Sequence, residues 1–224
     1  MSADRPVIVI GSGGHARVVA DALLAAGATV LGFTDADPAR HGLSLLGLPV
    51  LGGDDALQAH RPDAVHLANG LGGVGSVDAS GPGQGRLRQR VQQGLAAQGW
   101  LFVGVRHPSA VLSPFAELAG GVQLLAGSIV QPGARLGEGC IVNTSAVVEH
   151  DVHLSAWCHV APRALLCGDV RVGTGSHIGA GAVLRQGVRL GANTLVGAGA
   201  VVVRSFDGSV VLAGVPARVM ESRR

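Results

Sequence analysis

The sequence predicts an α/β half-domain followed by a parallel β-helix of six-residue rows. Three observations predict it. Residues 111–206 divide without a gap into sixteen rows, beginning VLSPFA, ELAGGV, QLLAGS, and the second place of every row is Leu, Val or Ile, from Leu112 through Val142, Val160 and Ile178 to Val202. The sixth place is nearly always small, as at Ala116, Ser128, Cys140, Cys158, Ser176 and Ala200. Before residue 100, an apolar run opens into a glycine turn and then an amphipathic stretch. A period of six fits neither a helix nor a simple strand. It is the period of a solenoid in which each row is one short strand and a turn.

The elements follow in order. Residues 6–10 (PVIVI) are a buried strand, and GSGGHA leads into a helix, ARVVADALLAAG, closed by Gly27. A second strand, TVLGFTD, ends at Asp35. The unit is βαβ and has the form G-x-G-x-x-A, with an acid 24 positions after Gly11. Glycine lets backbone N–H groups approach a ligand, and a helix N-terminus favours phosphate. Any tight βα turn also uses glycine, so the fingerprint leaves a nucleotide, NAD or no ligand open; the stretch suits half of a Rossmann fold. PVLGG and DDALQAHRP predict a short strand and a helix, and AVHLAN (64–69) another strand. Residues 70–85 hold seven glycines and read as a loop, either a lid or a plain insertion. RLRQRVQQGLAAQG predicts a helix and WLFVGV a strand. His107-Pro108-Ser109-Ala110 is the hinge. The expected division is a βαβ domain over 1–106, a β-helix over 107–206 and a tail over 207–224.

Composition narrows the function. Of 224 residues 36 are Gly, none is Tyr, and net charge is +2 with no lysine. A P-loop, which needs its Lys, is excluded. The arginines are scattered with few aromatics between them, which argues against nucleic acid. No apolar run is long enough for a membrane span and no signal-peptide pattern opens the chain, so a cytoplasmic protein is expected. Cys140 and Cys158 stand one full coil apart and read as buried thiols in a reducing compartment. No Cys or His spacing suggests a metal.

Three rows make a coil, so the outward first places fall on three faces. One carries Glu117, Arg135, His153, Arg171 and Arg189; it reads as solvated, with phosphate attraction the lesser reading. The next carries Gln123, Ile141, His159, His177 and Leu195. The third carries Ile129, Val147, Leu165, Val183 and Val201, an apolar stripe that asks for a partner. The mixed second face could be its counter-surface in a neighbour, and a three-fold ring would close such a contact. A homotrimer is therefore expected, with His150 of one chain approaching His159 of the next. His150 stands between Glu149 and Asp151; carboxylates there could orient the ring and raise its basicity. A plain exposed turn histidine is the competing reading. His41, His60, His66 and His153 read as surface or packing residues.

The turn GSGGHARVV, the hinge HPSA, the hexapeptide rows, NTSAVVEHD, HVAPRA and the closing AGVPAR together resemble the bacterial sialic-acid-type sugar acetyltransferases, the NeuD/PglD-like family, over nearly the whole chain. The resemblance implies left-handed winding of the β-helix, acetyl-CoA as co-substrate without a metal, and a trimer with sites between subunits. It implies His150 as general base with Asp151 as its partner. It places His159, Gly168 and Ala180 at acetyl-CoA, and Ser12, Gly13, Gly14, His15, Asp35 and Gly70 at the nucleotide-sugar. The implied reaction is N-acetylation of a nucleotide-linked amino sugar, a 4-amino-4,6-dideoxy hexose, for surface glycan biosynthesis. O-acetylation of a sialic-acid-like sugar is the nearer alternative; a noncatalytic solenoid or an NAD-binding protein is the distant one.

Overall fold

A computed structural model describes residues 5–73 and 83–220. The N-terminal part is a five-stranded sheet in which β1 (Val7–Ile10), β2 (Val30–Thr34), β3 (Ser44–Leu45), β4 (Leu48–Gly52) and β5 (His66–Asn69) stand in the order β3-β4-β2-β1-β5. β1 runs parallel to both β2 and β5, the register of a βαβ unit. Helix α1 (Gly14–Ala25) buries Ala16, Val19, Ala20, Ala22 and Leu23 against this sheet. The glycine-rich stretch expected as a loop or lid lies mostly outside the described residues, and its last residues join helix α2 (Gly83–Ala96).

Two sequence expectations need correction here. Residues 54–62 form a 3-10 turn over Asp54–Ala59 rather than an α-helix. Leu57 is its single buried residue, so no apolar stripe holds a longer helix in place. WLFVGV does not form one continuous strand of the N-terminal sheet. Phe102 makes one isolated bridge to Leu67. The chain then leaves the sheet at Gly104, where a Cβ would sit 3.0 Å from the Val122 carbonyl, and β6 (Val105–Arg106) pairs with Gln123–Leu124 of the solenoid.

The solenoid is a left-handed parallel β-helix of two-residue strands stacked in three sheets. Each strand pairs with the one eighteen residues on, as Ile129 with Val147 and His159 with His177. Second- and sixth-place residues fill the interior; Val142, Ala146, Cys158, Val160, Ala164 and Ile178 are fully buried there. All three cysteines are free thiols, and Cys140 and Cys158 are buried as expected. After residue 206, Val211–Ala213 extends one sheet and Arg218–Val219 closes its edge antiparallel, which leaves that sheet no long open edge.

The fifth place of fourteen successive rows, Gly121 to Gly199, has left-handed backbone. Glycine fills eight of these places, but Ser145, Asp151, Trp157, Arg163 and Asp169 occupy five consecutive ones. Each non-glycine there costs roughly 1–2 kcal/mol. The solenoid therefore tolerates a side chain at this place, and accepts the strain in the coils that surround His150.

The mixed face is not a counter-surface for a neighbour, as the sequence reading had it. The chain's own N-terminal domain covers its first part, Gln123, Ile141 and His159, and leaves His177 and Leu195 half-buried. Gln123 and Ile141 are buried, and Ile141 belongs to the same apolar cluster as Val7, Val9, Ala16 and Val19. Burying one such isoleucine contributes about 1.5–3 kcal/mol to the docking. Arg88 of α2 reaches across to donate to the Gly139 and Trp157 carbonyls, and its guanidinium lies 5.2 Å from the Trp157 ring centroid. The apolar stripe, by contrast, stays half-exposed along its length.

Candidate active site

The expected site residues fall into two groups on different edges of the prism. The first surrounds a cavity of about 900 Å³ between the glycine turn and the solenoid. Its walls are the turn Gly11–His15, Asp35, Arg40 and Gly70–Gly73; its solenoid side is Asn143, Thr144, His159 and Pro162. α1 opens on Gly13 with no side-chain cap, so its first N–H groups are left to the cavity. A Cβ on Gly13 or Gly14 would meet nothing within 4 Å. Protein packing does not require glycine there, whereas a close-lying ligand would. Gly70 is different: a Cβ would press into Val9, Ala16 and the Ile10 carbonyl, so packing alone accounts for it.

Asp35 braces the turn. It accepts from the Ser12 amide at 2.9 Å, from the Ser12 hydroxyl, and from the Asp37 amide at 3.0 Å. Arg40 donates to the Ser12 carbonyl at 3.1 Å. Partial burial alone would raise the Asp35 carboxyl, but the Ser12 and Asp37 hydrogen bonds and Arg40 together hold it below the usual range.

Two imidazoles, His15 and His159, line the floor, and His177 stands behind His159. His15 Nε2 lies 2.8 Å from Gln123 Oε1, and Gln123 in turn donates to the Asn69 carbonyl at 2.6 Å. His159 Nδ1 donates to the Gly73 carbonyl at 2.7 Å. Its Nε2 then carries the lone pair and faces the Asn143 amide nitrogen at 3.1 Å. The His159 and His177 rings meet edge to face, 4.8 Å between centroids. Burial, helped by His177, pushes His159 down to about 3 against the pull of the Gly73 carbonyl. Burial likewise lowers His15 and His177. All three are neutral at pH 7, so the floor offers hydrogen bonds rather than charge.

The second group is His150, Asp151 and Gly168, on the edge between the apolar and charged faces. His150 does not line the cavity. Its Nδ1 lies 2.9 Å from Asp151 Oδ2, and both side chains are more than half exposed. The Asp151 hydrogen bond, with Glu149 and Asp169 nearby, holds the His150 pKa above its ordinary value. Nδ1 carries the proton in that bond, so Nε2 is the free base. Both partners rest on glycine. A Cβ on Gly168 would overlap His150 Cε1 and Nε2, and a Cβ on Gly133 would overlap Asp151 Oδ1. Ala180 lies on the cavity's edge of the prism, two coils past Pro162's row partner Thr144, and not beside Gly168. Within one chain, therefore, His150 and Gly168 are apart from His159 and Ala180.

Sequence reading missed Arg40, Gln123, Asn143, Arg88 and Gly133. Gln123 alone left a trace, as a polar first place on a face with a buried isoleucine. Among the described residues no cluster of His, Cys, Asp and Glu could hold a metal, and no helix is long and apolar enough to cross a membrane.

The family model of the PglD N-terminal domain matches residues 6–75. PerB from Caulobacter crescentus, solved in complex with CoA and GDP-perosamine, is 41% identical; the match covers 96% of this chain and 97% of that one, with a TM-score of 0.85. The chain belongs to the NeuD/PglD-like family of sugar acetyltransferases. The acetyltransferase domain of PglB from Neisseria gonorrhoeae, solved with acetyl coenzyme A, is a further member at 35% identity, 97% and 100% coverage and a TM-score of 0.85. WeeI from Acinetobacter baumannii shares the fold at 21% identity, 96% and 100% coverage and a TM-score of 0.83. A search of curated proteins found no match. Both halves of this family's architecture, the glycine-turn domain and the β-helix, are present here.

Proposed function

We propose that this protein transfers acetyl from acetyl-CoA to the amino group of a nucleotide-linked amino sugar. The observation that carries the reading is His150, held by Asp151 with Nε2 free and seated on Gly168, in a chain similar over nearly its whole length to a perosamine N-acetyltransferase described with CoA and GDP-perosamine. The cavity suits the acceptor: helix N–H groups for the phosphates, and neutral polar groups for the sugar. A 4-amino-4,6-dideoxy hexose is the acceptor we assign. Ser12, Gly13, Gly14, His15 and Asp35 would hold its nucleotide end, with Gly70 shaping the wall.

The reaction is a direct displacement. The amine nitrogen attacks the thioester carbonyl, and His150 Nε2 takes the proton that nitrogen sheds. The C–S bond then breaks, and CoA leaves as the thiol by taking that proton back from the His150 imidazolium. Asp151 holds the imidazole in the tautomer that leaves Nε2 bare. Such a base contributes about 10²–10⁴-fold. Backbone N–H groups near Gly168 would stabilise the oxyanion.

The acceptor cavity and the base lie on the two edges that flank the apolar stripe. A homotrimer with the three stripes turned toward its axis brings one chain's His150 edge beside the next chain's cavity edge. That arrangement unites His150 and Gly168 with a neighbour's His159 and Ala180, and replaces the stripe-on-mixed-face contact expected from sequence. Free cysteines and both co-substrates fit a cytoplasmic setting. The test is acetyl transfer with His150→Ala, together with the mass of the native protein. Near-normal turnover by the variant, or a monomer with full activity, would contradict the reading.

A further inference from the structure

Behind the floor of the acceptor cavity lies a second, much smaller cavity of about 20 Å³. Gly73 and His159 belong to the walls of both. The sequence makes the lining of the small one polar. His177 takes the first place of its row and stacks one coil beyond His159, past the part of the mixed face that the N-terminal domain covers. Ser176 and Thr194 fill two sixth places of the same wall, where most rows carry alanine. Both hydroxyls are satisfied within the solenoid. Ser176 donates to the Gly191 carbonyl at 3.2 Å and accepts from the Thr194 amide at 3.0 Å, and Thr194 Oγ1 donates to that carbonyl at 2.8 Å.

Two other polar atoms of this wall are not satisfied. Among the described residues, the buried side-chain nitrogens and oxygens without a hydrogen-bond partner are Arg88 Nε, His177 Nδ1 and Ser128 Oγ. The first two belong to residues lining this one cavity. Arg88 is 2% exposed, and its two terminal nitrogens are spent on the Gly139 and Trp157 carbonyls, which leaves Nε–H. Burial brings its pKa down to about 10, so the guanidinium stays charged at pH 7. His177 is half-buried as a residue, yet its Nδ1 is closed off from solvent. A buried donor or acceptor without a partner is costly, more so on a charged group, and native proteins leave few of them.

We propose that this cavity is a buried solvent site, in which an ordered water joins Arg88 Nε to His177 Nδ1 and so makes His177 a positioning residue for His159. A polar cavity of more than about 10–15 Å³ with two or more hydrogen-bonding partners holds a water, whereas an apolar one stays dry. Arg88 Nε offers only a proton, and a neutral imidazole nitrogen offers either a proton or a lone pair. Water answers both cases, because it accepts and donates; a halide could only accept. The consequence for His159 follows from packing. The His177 ring meets it edge to face, with 4.8 Å between centroids, and His159 in turn faces Asn143 at 3.1 Å in the acceptor cavity. A His177 ring held at Nδ1 cannot turn, so its edge stays against His159. Arg88 in α2 is thereby connected to the acceptor floor without touching it. This last step rests on the acceptor reading above; the solvent site itself does not.

The test has two arms. The first is an atomic-resolution crystal structure of the whole protein, from crystals grown with bromide in place of chloride. The expected result is one oxygen-sized peak within about 3.2 Å of both Arg88 Nε and His177 Nδ1, without bromide anomalous signal. An empty cavity, a bromide peak, or a peak that reaches only one of the two atoms overturns the site. The second arm is calorimetry with GDP-perosamine on wild type, His177→Phe and His177→Gln. Phenylalanine keeps a ring against His159 and loses Nδ1; glutamine keeps a polar atom for the water. The expected Kd is raised about fivefold in His177→Phe, the order of one net hydrogen bond, and is close to wild type in His177→Gln, with Tm little changed in both. Equal Kd values for wild type and His177→Phe, or equal losses in the two variants, overturn the positioning role. No binding of GDP-perosamine by wild type overturns the acceptor reading instead, and the first arm still decides the solvent site.

Discussion

Gly168→Ala isolates the positioning of His150 from its chemistry. Gly168 is buried and its φ is not left-handed, so alanine fits the backbone. Where space allows, such a change stabilises a protein by about 0.4–1 kcal/mol through the unfolded chain. Here the new Cβ would overlap His150 Cε1 and Nε2 and stand 3.1 Å from Cδ2. Ordinary carbon contacts begin at about 3.5 Å, so the ring must withdraw by about 1 Å. His150 is more than half exposed, and the ring can swing toward solvent without disturbing the core. Stability should therefore change little while Nε2 leaves its place. A misplacement of about 1 Å costs on the order of 10²-fold in rate. The assay is thiol release from acetyl-CoA with a nucleotide-linked 4-amino sugar, alongside thermal unfolding. The expected outcome is a kcat lowered about a hundredfold at nearly unchanged Tm. A kcat within twofold of wild type would refute the claim that Gly168 seats the base, as would a loss of rate matched by unfolding.

Other expectations follow from the same geometry. Gly133→Ala should displace the Asp151 carboxylate; because Asp151 raises the His150 pKa, the acid limb of kcat/KM should move to lower pH as the maximum falls, whereas Gly187→Ala, a left-handed glycine in open space, should leave the profile unmoved. His159 stays neutral down to about 3 in the fold but takes a proton near 6.5 when unfolded, so stability should fall as pH drops through that window, and His159→Gln should flatten the dependence of Tm on pH. His15 and His177 act in the same direction. Arg88→Met removes two hydrogen bonds to buried solenoid carbonyls and should lower stability by about 2–4 kcal/mol, with faster amide exchange in α2.

The solenoid was legible because its constraint is local. Every coil needs an apolar second place and a small sixth place, and that pattern repeats whatever the surroundings. The glycine turn was legible for the same reason: strand, turn and helix are contiguous, and Asp35 ends the next strand. What the sequence hid lies between the two parts. Gln123, Ile141 and His159 read as an outward mixed face because nothing in the rows says which face a second domain will cover. Arg88 sits in a strongly polar helix and carries no mark that it, unlike its neighbour Arg90, turns inward to solenoid carbonyls. The glycines under His150 and Asp151 looked like two of many turn glycines. Only eighteen-residue stacking shows that one lies beneath each partner. The fifth-place strain at Asp151 has the same origin, since its φ of 59° is the cost of placing a carboxylate beside His150.

The most direct test of the account is to mix the purified protein with acetyl-CoA and GDP-perosamine, measuring thiol release and product mass, in parallel with His150→Ala. The account predicts one N-acetyl group per thiol released by wild type and a rate at least a hundredfold lower for the variant, whose fold and CoA binding persist. Equal rates for the two proteins, or no transfer to this or any other nucleotide-linked amino sugar, would contradict it.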